Sequence, residues 1–111
     1  MKVYTIPEVK QYFNDLITIL HEKGYFIYEE TSKKYVDELL DDILKNLPTK
    51  AKKPAPKHFT DRYGKNLYYA TFTKNRRTQW YAFFRMYEME GEIYYQVRHI
   101  ENNHTAAHYL Q

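Results

Sequence analysis

A chain of 111 residues with 43% apolar content, three glycines and four prolines has room for one domain, residues 1–111, and one modest core, and is too apolar for disorder. The absence of cysteine excludes a disulfide scaffold and thiolate chemistry. No apolar run reaches membrane-spanning length, so a cytoplasmic protein with no membrane partner is expected. Charge is split: residues 1–47 carry six Lys against nine Asp and Glu, a net of −3, and residues 48–111 carry eleven Lys and Arg against five, a net of +6. Aromatics reach 18%, including 13 tyrosines. A basic C-terminal half in such a chain points to phosphate-bearing or acidic partners, with a solvated basic surface as the plain alternative.

KVYTI alternates and is β-branched enough for a short opening strand. A helix should follow, with Thr5 as its cap, Pro7 in its first turn and Glu8 completing a T-x-x-E box. Val9, Tyr12, Phe13, Leu16, Ile17 and Leu20 recur at helical spacing, and Lys23-Gly24 closes the element. A second helix capped by Thr31 or Ser32 has Tyr35, Val36, Leu39, Leu40, Ile43, Leu44 and Leu47 as its apolar stripe and stops at Pro48. The two form an antiparallel hairpin with one shared buried side. PTKAKKPAPKH reads as an extended, exposed basic connector. From Asn66 the period changes: NLYYATFT, TQWYAFFRMYE and EIYYQVRHIE form a three-strand antiparallel meander with turns at KNRR and MEGE. HTAAHYL suits a short final helix capped by Asn103. The class is α+β, with the strand and helix hairpin packed on one face of a small antiparallel sheet.

Four-residue turns would pair Arg85 with Tyr94, Phe83 with Gln96 and Tyr81 with Arg98. One face then carries Trp80, Ala82, Phe84, Met86, Ile93, Tyr95 and Val97, with Leu67, Tyr69 and Thr71 from the neighbouring strand, and the helices cover it. The other carries Tyr68, Phe72, Tyr81, Phe83, Arg85, Tyr87, Tyr94, Gln96 and Arg98. An open face of rings and guanidinium groups marks a binding surface, unless the connector, the final helix or a second copy of the chain (a homodimer) lies across it.

The end of the chain, VRHIENNHTAAHYL, concentrates Arg98, His99, His104, His108 and Tyr109. Histidine can supply both proton roles of ribonucleolytic cleavage, and arginine suits the phosphate. Tyrosines can stack splayed bases. For each histidine a surface position is the plainer reading. His104 and His108 share a helical face, with His99 as a third nitrogen. Without HExxH or a suitably spaced carboxylate, no metal is expected. No phosphate-binding glycine loop is present, Ser32 is the sole serine, and no cofactor is expected.

The order strand, helix hairpin, basic connector, meander and Arg/His-bearing C-terminus resembles the RelE/ParE superfamily of type II toxins across nearly the whole chain. TIPEVKQYFNDLITIL, YVDELLDDILKNLP, RRTQWYAFF and YYQVRHIENNHTAAHYL carry the resemblance. It implies a toxin inhibited by a cognate antitoxin: in the RelE branch a metal-independent endoribonuclease that cuts messenger RNA on the ribosome, in the ParE branch a non-nuclease inhibitor of DNA gyrase. An orphan protein-interaction domain of the same fold is the remaining alternative. Carried onto this sequence, the resemblance implies catalytic roles for Arg98, His104, His108 and Tyr109, and Arg85 of the open face completes the phosphate-holding set. It implies RNA or antitoxin binding by Arg76, Arg77 and His99, to which the open face adds Tyr68, Tyr81, Phe83, Tyr94 and Gln96. Trp80 departs from the pattern, standing close to where many members have an arginine.

Overall fold

The computed structural model describes residues 1–106 and 109–110. Strand β1 (Lys2–Thr5) leads into helices α1 (Pro7–Glu22) and α2 (Glu29–Asn46). A 3-10 turn (Leu47–Thr49), a two-residue strand β2 (Lys53–Pro54) and helix α3 (Lys57–Tyr63) follow. Strands β3 (Tyr68–Asn75), β4 (Thr78–Met89) and β5 (Glu92–Asn102) and the short helix α4 (Asn103–Ala106) complete the order. The fold is α+β around one five-stranded mixed sheet of order β1-β5-β4-β3-β2, in which only β1–β5 is parallel. Among the described residues no helix is long and apolar enough to cross a membrane.

The helix stripes form as their spacing requires. Val9, Phe13 and Leu16 of α1 and Val36, Leu39 and Ile43 of α2 are buried against Phe72, Trp80, Phe84, Val97 and Ile100 of the sheet. The starts of both helices differ from expectation. Ile6 and Tyr28 occupy the N-cap positions without side-chain caps, so neither Thr5 nor Thr31 has that role. Ser32 lies a turn inside α2, fully buried, and its hydroxyl donates at 2.6 Å to the Ile17 carbonyl of α1. The sole serine is thus a close-approach point between the helices, with its polar group satisfied. At the chain's end Asn102 accepts from the His104 amide, and Asn103 instead accepts from the Gln79 amide and donates to the Arg77 carbonyl.

Two one-residue bulges decide which side chains share a face. The β4–β5 turn is the pair Glu90-Gly91, both at positive φ, so Arg85 pairs with Gln96 and Tyr87 with Tyr94. This moves the expected register by two residues and leaves the faces unchanged. Between Thr73 and Asn75 an extra residue, Lys74, slips β3 by one, so Phe72 pairs with Trp80 and Ala70 with Ala82. Tyr68 and Phe72, expected on the open face, therefore pack with the helix-hairpin core, while Leu67 and Tyr69 go to the far side. The second bulge is at Arg98: Phe84 pairs with Val97 but Phe83 with His99.

The far face is not open along its whole length. The basic connector is not extended throughout: α3 inserts Phe59 over Phe83 with ring centroids 4.3 Å apart, and Tyr63 and Leu110 flank a second core of Phe59, Leu67, Tyr69, Tyr81, Phe83 and Ala106. Tyr81 keeps 8% of its surface and Phe83 none. Both leave the list of exposed binding residues, because burying an aromatic pair under a helix satisfies the same apolar area that seemed to call for a partner.

Candidate functional site

What remains open on the far face lies beside the C-terminal end of α3. There Ile6, Thr60, Asp61, Arg62, Tyr63, Gly64, Gln96 and Arg98 line a shallow groove of about 530 Å³, with the Asp61 carboxylate paired to Lys57 at 2.7 Å. The bulge creates its chemistry. In regular alternation Arg98 and His99 would point to opposite faces. With Arg98 as the extra residue, Val97 and Ile100 both turn into the helix-hairpin core, and Arg98 and His99 both point to the far side.

Arg98 is held at three points. Its Nε donates to Gln96 Oε1 at 2.7 Å, Nη1 to the Tyr63 carbonyl at 2.8 Å and Nη2 to the Tyr87 hydroxyl at 3.0 Å. A guanidinium has five N–H donors, so two remain for a ligand. Gly64, at φ +110°, permits this approach: a β-carbon there would lie 2.7 Å from Arg98 Nη1. Arg85 lies over the Tyr87 ring at 5.2 Å and adds a second cation on the same side.

His99 stacks on Tyr63 at 4.2 Å between centroids and 12° between planes, and its Nε2 meets Glu101 Oε1 at 2.6 Å. Burial pushes its pKa below the ordinary histidine value, and the Glu101 carboxylate opposes this in part. The imidazole is therefore neutral at pH 7. Because a carboxylate only accepts, Nε2 carries the proton and Nδ1 has the free lone pair. Burial, then the charge on Glu101, raises the Tyr63 pKa, so this phenol stays protonated.

Arg98, Arg85 and Gln96 thus come together beside Gly64, while His99 reaches them through Tyr63, on whose ring it stacks, without lining the groove itself; Tyr94 stands at the same end of the face, edge-on to Tyr4 at 6.5 Å. His104 does not join them. It lines a different groove, against Trp80 and Tyr35, and shares no wall with Arg98. Tyr109 stacks on His58 of α3 at 3.6 Å and lies edge-on to Phe59 at 6.1 Å. Arg76 and Arg77 are exposed in the β3–β4 turn, and His108 lies outside the described residues. Tyr63, Gly64, Arg62 and Glu101 were not singled out in the sequence. The readable signal was HFTDRYG, where Phe59 and Tyr63 stand one helical turn apart before a terminating glycine.

No family model, curated protein or solved structure matches the chain.

Proposed function

We propose that this chain is a toxin of the RelE/ParE type, of the RelE branch, which cuts messenger RNA without a metal ion and is silenced by a cognate antitoxin. One observation carries the reading: a bulge sets a three-point-held arginine beside a neutral histidine whose other nitrogen meets a carboxylate. The order of strand, helix hairpin and meander supports it. In this reading the two remaining Arg98 donors grip the scissile phosphate, with Arg85 and Arg62 adding charge. His99 Nδ1 takes the proton of the 2′-hydroxyl, whose oxygen attacks phosphorus. The bond to the 5′ oxygen breaks, and that oxygen takes its proton from solvent in the open groove. The products are a 2′,3′-cyclic phosphate and a 5′-hydroxyl end. Glu101 orients the ring and stabilises the imidazolium.

The test is messenger on translating ribosomes with mapping of new ends. Wild type should leave cyclic-phosphate ends, and His99→Gln or Arg98→Ala should lower the cleavage rate about 10²-fold or more. Intact messenger alongside arrested growth would overturn the nuclease. Inhibited supercoiling in the same cells would assign the gyrase branch instead.

A further inference from the structure

We infer that two copies of this chain associate about a two-fold axis, the α1–α2 loop of each entering the apolar groove of the other. This is independent of the phosphate groove. The loop is an apolar protrusion: Ile27 keeps 83% of its surface and Tyr28 67%. Directly beside it opens a groove of about 710 Å³, lined by Leu16, Leu20, Tyr35 and Trp80. Tyr25 and Phe26, at the base of the same loop, form one end of that groove, so protrusion and recess are neighbours on one surface. A two-fold rotation about an axis between them sets each loop over the partner's recess, and the contact closes on itself.

Charge follows the same geometry. Glu29 and Glu30 come directly after the protrusion, at the start of α2. Asn75 and Thr78 of the groove's lining flank the exposed Arg76 and Arg77 in the chain. Among the described residues, none of these four charged side chains has an ion-pair partner in its own chain. Acidic groups thus follow the protrusion, and Arg76 and Arg77, with Lys23 in the lining, make the recess basic, which is the complementarity a second copy supplies. A small ligand filling the recess would leave Ile27 and Tyr28 in water; a second copy covers both.

The full chain is tested by sedimentation equilibrium over a concentration series. Twice the chain mass is expected, with Ile27→Asp raising the dissociation constant about tenfold or more while circular dichroism is unchanged. Glu29→Lys with Glu30→Lys, and separately Arg76→Glu with Arg77→Glu, should each weaken self-association. Mixing the two variants should restore a dimer, since each loop then meets a turn of opposite sign. A single-chain mass at every concentration, a dimer indifferent to Ile27→Asp, a mixture that stays monomeric, or an open-ended ladder of masses would each overturn the inference.

Discussion

Arg98 and His99 show how one extra residue in a strand changes chemistry. Neither is unusual in composition. Their value comes from sharing a face, and that comes from the bulge. His99 also couples the site to pH. Its folded-state pKa is below the unfolded value of 6.5, so the unfolded chain takes up a proton first as the solution is acidified. The stability tied to a neutral His99 is complete above about pH 6.5 and is lost as pH falls toward the folded value. Melting temperature should therefore drop between pH 7 and 5, and His99→Gln should flatten that slope. Scanning calorimetry of the two proteins across this window decides it: equal slopes would show that His99 titrates as it does in the unfolded chain.

At the scale of elements, α3 is the piece that turns half of an aromatic face into core and leaves the other half as a groove. Phe59 anchors it, keeping 1% of its surface against Phe83. Phe59→Ala should cost about 3–5 kcal/mol in urea denaturation. It should also speed amide exchange in α3 ahead of α1 and α2; unchanged exchange there would mean the Arg98 link to the Tyr63 carbonyl holds the helix unaided. The two long helices were legible because their stripes repeat with a period that composition cannot hide. The meander was legible from its β-branched and aromatic runs. α3 was not, because prolines and lysines around it dominate the local pattern while its two apolar residues span only one turn. Bulges were not legible either: a one-residue slip leaves no compositional mark, and the slip at Lys74 moved Tyr68 and Phe72 to the opposite face. The site was read in part. Arg85, Gln96 and Arg98, read as neighbours on one sheet face, do lie together, and among the described residues of the C-terminal cluster only Arg98 and its neighbour His99 are at that end of it. His104 is not, since α4 turns at Asn102 and Asn103 toward β4.

At the scale of the molecule, one sheet separates two cores, and β4 belongs to both. Trp80, Ala82 and Phe84 face the helix hairpin, and Tyr81 and Phe83 face α3. Trp80 also donates from Nε1 to the Tyr35 hydroxyl of α2 at 2.9 Å, which ties the hairpin to that strand. Two cores built on one backbone cannot melt separately without breaking the strand they share. Thermal unfolding should be a single transition with equal calorimetric and van't Hoff enthalpies, about 75 kcal/mol near 60 °C for a chain of this length. Two resolved transitions would show the α3 core to be an independent unit.

The strand at the far end of the sheet, β2, is only Lys53 and Pro54. A proline has no amide hydrogen to offer, and a lysine beside it keeps that border charged and hydrated. Another extended segment arriving there would find too few donors to extend the ladder. The molecule thus carries a built-in stop against templated fibre growth from that border.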